Sequence, residues 1–178
     1  MVKENKEALE ALEFALKFET DGHKFYLEAS KKTDNALGKE MFRSLAEEEI
    51  IHVEMVKAIY ENLTKTRKWP KTTGREMKEK KLLDFETIFT KVKEDVKKTL
   101  EVNPGDLEAL KIAKDMEIEG YKFYQKRAEQ TNNPLEKEFY LMLEKEESNH
   151  YEVIENTYEY LSNPSDWFSK KERPIYEG

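Results

Sequence analysis

Cysteine is absent from all 178 residues. Its absence excludes a disulfide frame, a thiolate metal site and a redox thiol, so any bound metal has to be held by nitrogen and oxygen. Long apolar runs are missing too: none approaches the roughly 20 residues needed to span a bilayer, and the N-terminal "MVKENKEALE" is charged. No cluster of Lys and Arg interleaved with aromatics occurs, and the net charge is −7. Nucleic acid and anionic membranes are therefore excluded as expected partners, and cations are the natural guests. No period-two strand pattern appears. The expectation is a single cytoplasmic domain over residues 1–178.

What the chain does contain is an internal repeat. A shift of 98 positions aligns "LEALEFALKFETDGHKFY" (9–26) with "LEALKIAKDMEIEGYKFY" (107–124) without a gap, and the register continues through Leu45/Leu143, Glu49/Glu147, His52/His150 and Leu63/Leu161. Apolar residues recur at spacings of three and four, so each copy reads as two helices joined by a short turn. The stripes run Leu12, Leu16, Glu19, Tyr26 and Leu45, Glu49, His52, Val56, Leu63 in repeat one (about 8–63). In repeat two (about 106–161) they run Leu110, Ala113, Glu117, Tyr124 and Leu143, Glu147, His150, Ile154, Leu161. Polar residues interrupt every stripe near its middle.

The turns "KKTDNALG" (31–38) and "QTNNPLE" (130–136) supply Asn/Asp caps, and Pro134 suits a first helical turn. In "NPGDLEAL" (103–110), Asp106 is the expected N-cap. The segment from 64 to about 83 is polar, lysine-rich and broken by Pro70 and Gly74, a connection. Phe85, Ile88, Phe89, Val92, Val96 and Leu100 then form a narrow apolar stripe, read as an accessory helix within a connection spanning about 64–102. It suits either a cover for exposed core or a subunit contact, and a homodimer is the expected state. The tail (about 162–178) reads as irregular, with Trp167 and Phe168 as anchors.

Residues three apart on a helix share a side, so Glu49 with His52, and Glu147 with His150, can aim a carboxylate and an imidazole at one point. Glu19 and Glu117 lie 30 positions before Glu49 and Glu147, each on its own apolar stripe. Four helices thus each deliver a carboxylate inward, and two add a histidine. Burying four carboxylates without partners is costly, and the stripes carry no Arg or Lys to pair with them. Two divalent metals would balance the four charges, with neutral imidazoles completing the coordination and positions left open for reaction. The alternative is solvent-facing glutamates with core histidines satisfied by backbone. Hard carboxylates with imidazole suit two iron ions, with manganese or zinc as other occupants.

Tyr26 and Tyr124 follow the lone glutamates by seven residues, on the same face. They suit either core aromatics or groups that hydrogen-bond those glutamates and shuttle a proton or electron. Gly22 and Gly120, three after each lone Glu, each weaken a helix by roughly 0.5–1 kcal/mol relative to Ala. Room for a small ligand and close helix packing explain them equally. His23 faces Tyr121 across the repeat and reads as a flank or surface residue. Glu47, Glu48, Glu54, Glu146 and Glu152 read as a solvated face.

"FETDGHKFY", "LAEEEIIHVEMV", "LEALKIAKDMEIEGYKFY" and "LEKEESNHYEVI" together resemble the rubrerythrin branch of the ferritin-like superfamily, over residues 8–162. The resemblance implies an all-α, antiparallel four-helix bundle with a long crossover between the second and third bundle helices. It also implies a dimetal centre reacting with dioxygen or hydrogen peroxide. Glu49 and Glu147 would then bridge the metals, Glu19 and His52 would complete one iron, and Glu117 and His150 the other. Two departures stand out. Rubrerythrins usually append a cysteine-ligated rubredoxin domain, which this chain lacks, so the expected electron donor is another protein such as a rubredoxin. Gly120 stands where they carry a further carboxylate, so the expected centre has six residues, as elsewhere in the superfamily.

The function expected is therefore a di-iron carboxylate oxidoreductase of hydrogen peroxide or dioxygen. Iron storage with ferroxidase activity is the alternative, and would need a large hollow oligomer. A metal-bound scaffold with little turnover is a third possibility.

Overall fold

A computed structural model describes residues 2–71, 82–96 and 102–164 of the chain. Five helices run in the order α1 (Val2–Lys32), α2 (Ala36–Thr66), α3 (Phe85–Val96), α4 (Pro104–Gln130) and α5 (Pro134–Ser162). No strand occurs among the described residues. Nor is any helix there long and apolar enough to cross a membrane. The expected connection residues 72–81, the accessory-helix residue Leu100 and the anchors Trp167 and Phe168 lie outside the described residues.

Asparagine starts three of the five helices. Asn35 accepts from the backbone N–H of Leu37 at 2.9 Å and Gly38 at 3.2 Å. Asn133 does the same for Leu135 and Glu136, and Asn103 for Gly105. Each satisfies amide donors that have no carbonyl partner in the first turn. The expected cap Asp106 is thus corrected to Asn103. Proline favours the first helical position, where its missing N–H costs nothing, so Pro104 pulls the boundary forward and the cap falls on the residue before it. Asp106 lies in the first turn instead, buried, and accepts from the Asn35 backbone.

The core divides into two apolar clusters. One joins Tyr26, Phe42, Leu45, Leu110, Ala113, Ile154 and Leu161. The other joins Leu12, Ala15, Val56, Leu63, Tyr124, Phe139, Tyr140 and Leu143. In the second cluster the start of α1 meets the ends of α2 and α4 and the start of α5, which makes α1 antiparallel to α2 and α4, and α5 antiparallel to α2 and α4. α2 and α4 therefore run the same way, and the chain between them must travel the length of the bundle. That is the long crossover expected of the fold. Ala15, fully buried, takes the stripe position expected for Leu16, which is only half-buried.

α3 interrupts that crossover and covers core. Phe85 and Ile88 are buried in the first cluster, Phe89 meets Tyr160 of α5 edge-on at 5.2 Å, and Lys91 pairs with Glu40 of α2 at 3.2 Å. Asn149 of α5 donates to the Leu83 carbonyl at 2.8 Å, fixing the approach to α3.

Candidate metal centre

Between the two apolar clusters lies a polar layer with almost no exposure. Glu19 (1%), Glu49 (3%), His52 (0%), Glu117 (2%), Glu147 (1%) and His150 (0%) fill it, one set from each bundle helix. The helical period brings them there: each stands where its stripe would otherwise place another core residue. Donor atoms of Glu19, Glu49, His52 and Glu147 lie within 4.8 Å of one another, and so do those of Glu49, Glu117, Glu147 and His150. Glu49 and Glu147 belong to both groups. All six sequence-predicted ligands therefore meet, in the arrangement of two shared and four unshared side chains.

The imidazoles turn Nδ1 toward the carboxylates. His52 Nδ1 lies 3.3 Å from Glu19 and 3.4 Å from Glu49, and His150 Nδ1 lies 3.2 Å from Glu49 and 3.5 Å from Glu117. The two rings face each other, 5.5 Å apart and 19° from parallel. Among the described residues, no Lys or Arg pairs with any of the four carboxylates.

Without metal, protons must supply the missing positive charge. Burial, then the charge of Glu49, pushes Glu19 up to about 8. Burial and the charges of Glu117, Glu19 and Glu49 raise Glu147 well above the carboxylate range. Burial pushes Glu49 the same way, but hydrogen bonds from Glu19, His150 and His52 outweigh it and hold Glu49 low. Burial opposes the charged imidazoles, yet the charge of Glu19 raises His52 to about 10, and Glu117 raises His150.

Tyr26 donates a hydrogen bond to Glu117, and Tyr124 donates one to Glu19. Each tyrosine thus serves the lone glutamate of the other repeat. Burial, with the carboxylate charges second, raises both phenols well above their usual value, so they are donors at neutral pH. Each stacks on the matching ring of the next helix of its own repeat, Tyr26 on Phe42 and Tyr124 on Tyr140, both at 6.1 Å. The core and hydrogen-bonding roles coexist.

The two glycines differ. A Cβ on Gly120 would lie 2.5 Å from Glu147 Oε2 and 2.8 Å from the Phe18 ring, while one on Gly22 would approach Glu49 no closer than 3.8 Å. Gly120 is there for close packing by the chain's own side chains. Gly120→Ala should therefore displace the Glu147 carboxylate and weaken metal uptake by about tenfold or more, an effect comparable to disturbing a ligand's outer support. Gly22→Ala should leave uptake unchanged and stabilise the helix by roughly 0.5–1 kcal/mol. Metal titration and thermal unfolding of the two variants check both.

His23 stays outside the layer: its Nδ1–H donates to the Ala46 carbonyl at 2.8 Å. Glu47, Glu54 and Glu152 are exposed as expected, and Glu48 is half-buried. Glu146 corrects the expectation of a solvated face. It is 4% exposed and forms a third donor group with His52 and His150. The signal was present, since Glu146 precedes His150 by four residues and so shares its side of α5.

Divalent metals fit this donor set. Glu117 Oε2 and Glu147 Oε1 are buried without hydrogen-bond partners, and each faces the layer's interior. Buried polar atoms left so are uncommon and costly, and coordination would satisfy both. The family model described as rubrerythrin matches residues 10–158. Comparison with curated proteins and with solved structures returns no significant match.

Proposed function

The chain belongs to the rubrerythrin family of di-iron carboxylate proteins, and we propose that it is an oxidoreductase that reduces hydrogen peroxide, with dioxygen as the other oxidant. The observation that carries this reading is the buried layer of four glutamates and two histidines with no Lys or Arg among the described residues to neutralise it. Glu49 and Glu147 would be shared between two iron ions, Glu19 and His52 would complete one, and Glu117 and His150 the other. When bound, two ferrous ions supply two electrons, so that hydrogen peroxide with two protons becomes two waters.

The chain's own residues do the rest. The six ligands hold a charge-balanced site from four separate helices, which fixes it by packing rather than by a loop. Tyr26 and Tyr124 hold Glu117 and Glu19 by donating O–H, and the same bonds offer a proton route to those carboxylates. The two apolar clusters bound the layer above and below and keep bulk water out. Electrons for the next cycle would come from an external donor protein such as a rubredoxin.

The test is to mix anaerobically reduced, iron-loaded protein with hydrogen peroxide. Rapid ferric absorbance at two electrons per peroxide, with repeated turnover once a donor is added, is expected. A chain that holds two irons yet reacts with neither oxidant would overturn the proposal. So would assembly into a large hollow particle that retains iron after oxidation, since that outcome belongs to storage.

A further inference from the structure

His52 and His150 turn Nδ1 inward, so Nε2 of each ring points away from the carboxylates. Both Nε2 atoms are completely buried and have no hydrogen-bond partner. An imidazole that coordinates a metal through Nδ1 carries its proton on Nε2, and a buried N–H left unpaired costs about 1–3 kcal/mol. Two such donors side by side, with rings stacked at 5.5 Å, call for an acceptor between them.

Glu146 lies close to both rings. Its carboxylate lies within 4.8 Å of a nitrogen of both histidines, yet it shares no donor group with Glu19, Glu49, Glu117 or Glu147. It is thus grouped with the two imidazoles and not with the four inner carboxylates. It is 4% exposed, and no hydrogen bond engages its side chain among the described residues. A carboxylate has two oxygens and about four acceptor sites, enough for two N–H donors. The hydrogen bonds proposed below require its side chain to rotate toward the rings. The repeat counterpart Glu48 is only half-buried and joins no such group, so one carboxylate serves both rings.

We propose that Glu146 is a positioning residue that accepts Nε2–H from both His52 and His150, fixing their tautomer and ring orientation for coordination through Nδ1. This rests on the metal-binding reading above. Its consequences follow from carboxylate–imidazole–metal chains in general: the ligand becomes a stronger donor, affinity rises, and the more oxidised metal is favoured. α5 thus contributes three residues to the centre, Glu146, Glu147 and His150, where α2 contributes Glu49 and His52.

Cobalt(II) serves as the probe. The native chain should bind two ions and show two hyperfine-shifted imidazole N–H proton resonances that exchange slowly with water. Glu146→Ala should still bind two ions, but 10–100-fold more weakly, and both N–H resonances should be lost to exchange. Glu146→Gln, which keeps an acceptor oxygen without the charge, should restore the resonances and recover part of the affinity; its iron-loaded form should have a more positive reduction potential. Glu54→Ala, at an exposed position, should match the native chain. Packing alone would not move the N–H exchange. If Glu146→Ala keeps native affinity within twofold and keeps both resonances, the inference falls while the metal site stands. If Glu146→Ala does not fold, unchanged affinity and potential in Glu146→Gln overturn it. A native chain that binds no cobalt overturns this inference and the reading beneath it together.

Discussion

Glu147→Gln should lose both metals while leaving the metal-free fold at least as stable as before. Glu147 is shared by the two donor groups, so its removal takes a ligand from each. The loss should exceed the 10–100-fold that outer partners contribute, and therefore be more than about 100-fold per site. In the metal-free chain, burial and three neighbouring carboxylates make an ionised Glu147 unfavourable, so an uncharged amide of the same shape removes a liability. Glu49→Gln should lose the metals just as completely and behave in the opposite way without them. Glu49 is the carboxylate held low by hydrogen bonds from Glu19, His150 and His52, and neutralising it takes from two buried imidazolium ions the one carboxylate that touches both. Removing one partner of a buried pair typically costs about 3–5 kcal/mol. Thermal unfolding with and without metal, beside metal analysis, separates the two variants. Equal destabilisation of both metal-free proteins would contradict the charge assignment.

Metal uptake should release at least two protons per chain near pH 7 and tighten steeply with pH. Glu19, raised to about 8, and His52, raised to about 10, both hold protons at neutrality that a metal must displace. Two displaced protons correspond to an affinity rising about 100-fold per pH unit around pH 7, less steep above pH 8 as Glu19 ionises. Calorimetry in two buffers of different ionisation enthalpy counts the protons, and a buffer-independent heat would contradict the assignment. The metal-free fold should respond in the reverse direction. Glu19 and His52 bind protons more tightly folded than unfolded, as do Glu147 and His150. Their contribution is complete below the unfolded values, 4.5 for Glu19 and 6.5 for His52, and is lost as pH rises toward about 8 and about 10. Each extra proton is linked to about 1.4 kcal/mol per pH unit within its window. Glu49 acts oppositely, its contribution disappearing as pH falls through its lowered value. With four groups raised against one lowered, the metal-free protein should be less stable at pH 9 than at pH 6.5.

The centre was legible in the sequence because duplication writes it twice. A single Glu-x-x-His would have been ambiguous, whereas Glu49/His52 and Glu147/His150 in one gapless register were not, and the apolar stripe fixed which way they point. What escaped detection depends on contacts between elements. A repeat cannot say that Tyr26 reaches Glu117 and Tyr124 reaches Glu19, because the crossing follows from α1 and α4 packing antiparallel. Nor can it say that Gly120 is crowded by Phe18 and Glu147 while Gly22 is not, since Phe18 has Met116 as its counterpart and the two repeats diverge there. Glu146 was hidden by composition: in a chain with 38 acidic residues, one more glutamate beside a ligand reads as surface until its burial is seen. Asp106 lost the cap to Asn103 for a local reason, the proline between them.

The most direct test of two metals held by a buried carboxylate layer is anomalous scattering at the iron edge from crystals of the iron-loaded chain. Two peaks should appear in the layer, one beside Glu19 and His52 and the other beside Glu117 and His150, with Glu49 and Glu147 between them. A single peak, or none within that layer, would contradict the account.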